Sequence, residues 1–273
     1  ARVHLGSKTY TFRSKQSFVI NRTKLDQYLF LLAKNSGAKT MLSTRLIGFI
    51  EKNNSVTLYL KSKNKTKILQ TKILAGCDGP LSKIRSSLNL QSPHFPHAIF
   101  CYTSKPQDSF VDLYLKESPD FFAWRIPRSS VIEYGIASSS HTKIYFKQFI
   151  KKHKITPKKI FSGLIPYGLL PKVTSKRIFL CGDAASQVKP HTGGGVVYGL
   201  TCANIASKTI DPDFPNTHLY ELQWRKKLKK EILLGLLIKK TYSLPSFLLT
   251  FPLTTLSKKQ NLDMDKPSTI FKT

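Results

Sequence analysis

Arg177-Ile-Phe-Leu-Cys-Gly-Asp-Ala-Ala-Ser-Gln-Val-Lys-Pro-His-Thr-Gly-Gly-Gly-Val-Val-Tyr-Gly-Leu200 is the stretch that decides the fold. Its apolar run, Ile178 to Cys181, stops at Gly182-Asp183, as a buried strand does at the carboxyl edge of a sheet. Ala184 and Ala185 follow, then Pro190, then the triplet Gly193, Gly194 and Gly195, which opens a helix near Val196. A carboxylate at a strand end accepts hydrogen bonds from sugar-like hydroxyls. Glycines without side chains let backbone amides come close to a ligand. The first turn of a helix offers unpaired N–H groups and the positive end of the dipole to negative charge. The stretch predicts a strand, a turn and a helix arranged around a bulky polyol-phosphate ligand.

A second segment, Ile73-Leu-Ala-Gly-Cys-Asp-Gly-Pro-Leu-Ser-Lys-Ile-Arg85, repeats the logic. Its strand ends at the turn Asp78-Gly79, and Pro80 suits the first position of a helix. Together the two segments resemble the paired motifs of FAD-dependent reductases and hydroxylases. The first is similar to their Gly-Asp-Ala motif with its downstream proline and glycines. The second is similar to their Asp-Gly-x-x-Ser-x-x-Arg motif, matched here by Asp78, Gly79, Ser82 and Arg85. The resemblance implies FAD as the cofactor, with Asp183 on the ribityl chain. It places Gly182, Ala184, Pro190, Gly193, Gly194 and Gly195 around the flavin, and Asp78 and Gly79 near the pyrophosphate and ribityl portion. Upstream, Val19-Ile-Asn-Arg22 before a helix matches the segment preceding the Asp-Gly motif, which makes Arg22 a candidate anion contact. Without the resemblance, each segment reads as a strand–loop–helix connection, and a lone arginine at a helix start is more often solvated.

Such flavoproteins open with a βαβ unit carrying Gly-x-Gly-x-x-Gly, whose amides hold the pyrophosphate. No such run precedes residue 182. Three readings account for this: a truncated chain, which is favoured, a separately encoded N-terminal half, or a degenerate remnant.

The middle of the chain bears on the substrate. Leu115-Lys-Glu-Ser-Pro-Asp-Phe-Phe-Ala-Trp-Arg-Ile-Pro127 carries Pro119, Phe122, Trp124 and Pro127. It resembles the Pro-x-x-Tyr-x-Trp-x-Phe-Pro signature of the geranylgeranyl reductase branch, with Phe122 for the tyrosine and Ile126 for the second aromatic. Alternating aromatics on a strand supply a flat apolar wall beside a cofactor; they equally fill an ordinary core. The resemblance implies saturation of C=C bonds in isoprenoid chains of membrane lipids. Its alternative on the same scaffold is a monooxygenase or halogenase. From another class stands a non-catalytic basic remnant that binds anionic membrane or nucleic acid. His191 is the one weak catalytic candidate, as a proton donor, and a cap histidine reads equally well. No catalytic triad, paired acid or metal-ligand spacing stands out.

Composition sets the bounds. Forty-four basic against fifteen acidic residues give a formal charge of +29 over 273 residues. The lysines are dispersed and form no nucleic-acid module, despite runs at Lys61–Lys67 and Arg225–Lys230, so nucleic acid is not the expected partner. Attraction to an anionic membrane surface is retained. Cys77, Cys101, Cys181 and Cys202 show no CxxC spacing; those in the motifs read as small reduced fillers. No signal peptide is visible, so the chain is expected to be cytoplasmic with peripheral membrane contact, and the Asn-x-Ser/Thr triplets at Asn21, Asn53 and Asn64 carry no meaning.

The fold expected is α/β, α+β overall: a partial Rossmann-like FAD-binding domain with an inserted antiparallel substrate sheet and a helical C-terminus. Residues 1–90 form the first part of the FAD domain, 91–170 the sheet, 171–209 the second part, and 210–273 the helical region and tail. Helices are expected at 23–35 and 144–152, and a basic amphipathic helix from Leu219. The uncharged run Thr241–Ser257 is broken by Pro245 and Pro252, which argues against a spanning helix; packing over the lipid tunnel is favoured, with a peripheral membrane anchor as the alternative. The tail from Lys258 is expected to be loose.

Overall fold

Period-two alternation sends neighbouring residues of a strand to opposite faces of a sheet, and the middle of this chain is built on it. The computed structural model describes residues 1–13, 18–63, 65–103, 108–128, 130–259 and 262–271, so Asn64 and the middle of the Lys61–Lys67 run lie outside the described residues. Strands β1 (Arg2–Leu5) and β2 (Lys8–Thr11) make a hairpin that turns at Gly6, where φ is +61°. Helix α1 (Arg22–Asn35) follows, started by the Asn21 side chain, which accepts from Lys24 N at 3.1 Å. Strands β3 (Thr44–Glu51), β4 (Val56–Ser62) and β5 (Lys65–Thr71) form an antiparallel meander. Next come the short strand β6 (Leu74–Gly76) and helix α2 (Lys83–Ser87).

The antiparallel block holds β7 (His97–Thr103), β8 (Asp112–Tyr114), β9 (Ala123–Arg128), β10 (Val131–Ser138) and β11 (Ile160–Leu164), with α3 (Thr142–Lys152) between the last two. Its sheet has seven strands in the order β11-β7-β10-β9-β8-β1-β2. Ala98, Phe122, Trp124 and Ala137 face one side, while Ile99, Ala123 and Ile136 face the other, where Phe146 and Phe149 of α3 cover them.

The order also brings the start of the chain to this sheet. The hairpin β1–β2 belongs to this sheet: β1 runs parallel to β8 with Arg2 opposite Asp112. The reason is a cluster of charges. Asp112, 1% exposed, accepts from Arg2 Nε at 2.6 Å, His4 Nε2 at 2.7 Å and Arg125 Nη1 at 3.1 Å. Burying that carboxylate alone would raise its pKa, yet the hydrogen bonds from Arg2 and His4 bring it below the usual value.

The chain then returns to a second layer. Strand β12 (Ile178–Leu180) pairs in parallel with β6, and helices α4 (Val196–Thr209), α5 (Thr217–Thr241) and α6 (Ser246–Lys258) follow. Val56, Leu58 and Leu60 of β4, Ile178 and Leu180 of β12, and Tyr198, Cys202, Trp224, Leu228 and Ile232 of the helices form one core. On α5 the buried Tyr220, Trp224, Leu228 and Ile232 recur every four residues, while Lys226, Lys227, Lys229 and Lys230 stay exposed. That is the expected basic amphipathic helix.

Helix α6 begins after Pro245 and contains Pro252, and among the described residues no helix is long and apolar enough to cross a membrane. Its Leu249 and Leu253 pack on the aromatic face of the sheet. The tail differs from expectation: residues 262–271 are held rather than loose. Lys189 pairs with Asp265, Tyr198 Oη donates to Asp265 O at 2.9 Å, and Ser268 Oγ donates to Glu231 at 2.7 Å. Its partners on α4, α5 and the loop before α4 fix it.

Candidate cofactor site

Strands β6 and β12 end side by side, Leu180 opposite Gly76, and place the two Asp turns next to each other. The close pairing needs a glycine, since a Cβ at Gly76 would lie 2.6 Å from Leu180 Cδ2. Cys181 is buried one step beyond, but Cys77 is exposed at the strand end, against its expected role as a filler. After β12 the backbone makes a tight 3₁₀ turn, Gly182–Ala185, entered at Gly182 with φ +66°. Gln187, fully buried, holds this turn: its Oε1 accepts from Gly182 N at 2.8 Å and its Nε2 donates to Tyr220 Oη at 3.0 Å. The phenol donates onward to Leu180 O at 2.9 Å. The sequence reading passed over Gln187 because its job is internal.

Asp183 stands at the mouth of the turn, partly exposed. Among the described residues no donor hydrogen-bonds its carboxylate. Burial raises its pKa, and the Arg22 guanidinium, near enough to act through charge, opposes the rise. Arg22 itself reaches Asp26 at 3.3 Å on the exposed side of α1. A Cβ at Gly195 would lie 2.8 Å from Asp183 Oδ1 and 3.2 Å from Val188 Cγ2, so the carboxylate keeps its place only because residue 195 has no side chain. Gly195 also cannot cap α4 with a side chain, which leaves the first N–H groups of that helix to a ligand. An acceptor without a donor, a glycine cradle and an open helix start fit the sugar-alcohol and anionic parts of a flavin nucleotide.

The glycine loop is closed by Lys189 N donating to Gly194 O at 3.1 Å and Gly193 N donating to Lys189 O at 2.8 Å. Gly193 takes φ +72°, where glycine is favoured, and a Cβ there would meet Ile165 at 3.1 Å and Phe121 Cζ at 3.6 Å. The loop thus touches the aromatic face of the large sheet.

Asp78 and Gly79 sit beside this turn with a different division of labour. Asp78 Oδ2 accepts from Lys83 N at 2.8 Å and Ile84 N at 3.2 Å, so one oxygen is committed to starting α2. Gly79 supplies the turn at φ +81°. Ser82 Oγ accepts from Arg85 N at 3.0 Å. The buried Arg85 guanidinium donates to Ala184 O at 2.8 Å and Pro80 O at 2.7 Å, which locks one motif to the other. Ala184 is fully buried, and its carbonyl rather than its side chain is the useful part.

His191 and Pro190 lie behind the loop. A Cβ at Gly235 of α5 would lie 2.8 Å from His191 Nδ1 and 2.9 Å from Pro190 Cδ. Burial of the imidazole, and after it the Lys189 ammonium, lowers the His191 pKa to about 4. The ring is neutral at physiological pH and packed on a helix, which does not suit the proton-donor role read from the sequence. Tyr242 Oη donates to the His191 carbonyl at 2.7 Å.

Phe122 and Trp124 are buried in the face opposite α3, and Phe121, which the sequence reading left out, is fully buried and stacks on Phe122 at 4.7 Å. Phe122 meets Trp124 at 6.1 Å and Tyr242 at 6.0 Å, edge to face. Trp124 is fixed by Nε1 donating to Glu133 Oε1 at 2.8 Å, and its ring occupies the space a Cβ at Gly135 would need, 2.3 Å away. Pro127 is buried in β9 opposite Ile132, whereas Pro119 is exposed. Beside Phe121, the Lys239 ammonium lies 5.5 Å from that ring and 4.4 Å from the Tyr167 ring. Lys239, Tyr167, Leu233, Leu236 and Leu237 line a cleft of about 850 Å³ next to the wall.

Comparison with known proteins follows the same lines. A sequence profile described as FAD binding domain matches residues 2–129. The digeranylgeranylglycerophospholipid reductase of Methanocaldococcus jannaschii is 26% identical over 247 residues, which cover 80% of this chain and 63% of that protein. Digeranylgeranylglycerophospholipid reductase 1 of Methanosphaera stadtmanae is 26% identical over 229 residues, 76% of this chain and 57% of its own length. The chain therefore spans less than two thirds of the length of these curated relatives. A solved geranylgeranyl bacteriochlorophyll reductase-like protein of Thermoplasma acidophilum superposes with a TM-score of 0.85 at 20% identity, over 99% of this chain and 78% of that one. At that identity the superposition speaks for the fold.

Proposed function

We propose that the chain, which is similar to FAD-dependent oxidoreductases of the geranylgeranyl reductase type, takes part in saturating C=C bonds of isoprenoid chains in membrane lipids. One observation carries the reading: Gly193 of the cofactor loop lies against Phe121 and Ile165, so cofactor and apolar wall share a border. When bound and reduced, FAD supplies the hydride for such a reaction. Asp183 would accept from the sugar-alcohol hydroxyls, and the N–H groups at the start of α4 would be available to the negative charge that reduced flavin gathers. Arg22 balances the Asp183 charge from α1. Phe121, Phe122 and Trp124 hold an apolar chain flat and keep water out, with α6 and Tyr242 over them as a cover. An alkene reaching that border passes the leucine-lined cleft beside Lys239, whose ammonium is held by the Asp120 carbonyl at 3.1 Å.

The site is also proposed to need a further glycine-rich segment, in the same chain or a separate one, for the pyrophosphate. Support comes from α1, which buries no residue and exposes Tyr28, Leu29, Phe30, Leu31 and Leu32. Five consecutive residues exceed one helical turn, so α1 exposes apolar surface all round, and that extent calls for a cover.

The test is a titration of FAD fluorescence with the purified chain, alone and with a supplied βαβ segment from a related reductase, followed by product analysis on a polyprenyl lipid. Saturable binding that Asp183→Ala abolishes, with saturated lipid as product, supports the proposal. Binding with turnover of an aromatic substrate instead would move the chain to hydroxylase or halogenase chemistry. Absence of binding in both arrangements would leave a basic remnant.

A further inference from the structure

On α6 and at the turn that leads into it, Leu244, Phe247, Leu248 and Phe251 recur at helical spacing and point away from the core. Phe247 and Phe251 are 72% and 79% exposed. The inner face of the same helix, Leu249 and Leu253, is packed on the aromatic wall. Folding therefore accounts for one face and leaves an apolar stripe on the other, of a kind that marks a protein or membrane contact. The helix has 13 residues and lacks the length to span a bilayer.

Charge separates the two kinds of partner. From Ile232 to Leu262 the charged residues are Lys239, Lys240, Lys258 and Lys259, and no carboxylate falls among them. Lys240 and Lys258, at the two ends of the stripe, are exposed. Lys116 brings a further ammonium to the start of the stripe, where it donates to the carbonyls of Tyr242 and Leu244. An apolar stripe bordered by ammonium groups matches the boundary between acyl chains and anionic headgroups.

We propose that α6 is an interfacial helix that lies in the plane of an anionic lipid bilayer, with Phe247 and Phe251 below the headgroups and Lys240 and Lys258 among them. The inference does not rest on the reaction proposed above. It adds to it, because the helix seated on the membrane is the one that covers the aromatic wall. A lipid tail leaving the bilayer beside α6 is about one helix diameter, roughly 10 Å, from Phe122.

The experiment is vesicle flotation of the purified chain with phosphatidylcholine alone and with phosphatidylcholine mixed with phosphatidylglycerol, at low and high salt. The wild-type chain is expected to float with the mixed vesicles and far less with the neutral ones. The double substitution Phe247→Ser/Phe251→Ser is expected to lower that partitioning on the order of tenfold or more. The control Phe214→Ser, on the loop between α4 and α5, leaves it unchanged. Thermal melting by circular dichroism checks that each variant folds. Should the double variant melt early, Lys240→Glu/Lys258→Glu carries the test by losing the preference for anionic vesicles. Flotation indifferent to both pairs overturns the proposal. So does failure of the wild type to bind any vesicle, or a dimer in sedimentation that the phenylalanine pair abolishes, which would give the stripe to a second copy.

Discussion

Gly195→Ala isolates the cofactor cradle from the fold. Residue 195 has φ −103° and ψ −18°, a conformation open to alanine, so the backbone imposes no penalty. The added Cβ would lie 2.8 Å from Asp183 Oδ1 and 3.2 Å from Val188 Cγ2. Nothing hydrogen-bonds that carboxylate within the described residues, so it yields by a few tenths of an ångström at small cost to stability. What it loses is alignment with the cofactor hydroxyls. Hydrogen bonds to a charged group contribute about 1.5–3 kcal/mol each. Misaligning one weakens FAD binding about 10- to 150-fold, while the melting temperature moves by only a degree or two. The assay pairs the FAD titration, run with the supplied βαβ segment, with a thermal melt of the same sample. FAD affinity within twofold of the wild type, in a normally folded variant, would refute the assignment of Asp183 and Gly195 as a cradle. Gly193→Ala provides the contrast. There φ is +72°, so alanine adds about 1–2 kcal/mol of backbone strain, and a stability loss accompanies any loss of binding.

Arg85→Gln removes the donors to Ala184 O and Pro80 O inside the structure, and should cost about 2–4 kcal/mol in urea unfolding through carbonyls left without partners. A loss under 1 kcal/mol would mean the two motifs are not held together by this side chain. His191, with its pKa lowered to about 4, is neutral in the folded chain and titrates near 6.5 once unfolded. Its contribution is therefore fully present above about pH 6.5 and is lost as pH falls toward 4, by up to about 3 kcal/mol. In His191→Gln the stability change between those pH values should be smaller than in the wild type, and an equal slope in both would contradict the burial argument. Gly135→Ala forces the Trp124 ring off its place, since the new Cβ would lie 2.3 Å from it. It should slow turnover of a polyprenyl substrate and cost about 1–3 kcal/mol of stability while leaving FAD affinity unchanged, and a parallel loss of FAD binding would show that wall and cradle are not separable.

Much of the cofactor side was legible because its signals are local. A strand that ends at Gly182-Asp183 and a glycine triplet before a helix need neighbours only a few residues away, and the structure forms both as read. The alternation of Phe122 and Trp124 likewise put those two rings on one side of the sheet. The wall was read one residue short: Phe122 and Trp124 lie on it, but Phe121 is the one that borders Gly193. Period two assigns neighbouring residues to opposite faces. Phe121 and Phe122 both precede β9, where that rule no longer separates neighbours, and the two rings stack on each other.

Other positions have meanings that no local pattern carries. Nothing in Arg2-Val-His-Leu5 says that these residues join a sheet whose next strand begins at Asp112; a buried carboxylate shared among Arg2, His4 and Arg125 decides it. His191 reads as a candidate acid in a cofactor loop and becomes a neutral filler because Gly235, 44 positions later, leaves room for its ring. The sequence by itself determined the strand–turn–helix units, the aromatic strand and the basic amphipathic helix, since hydrogen bonding and side-chain periodicity within a segment are sufficient for them. Only the tertiary structure decided which carboxylate is left without a donor, which arginine ties two motifs together and which face of α6 stays uncovered. Those outcomes depend on desolvation and close contact between segments far apart in the chain.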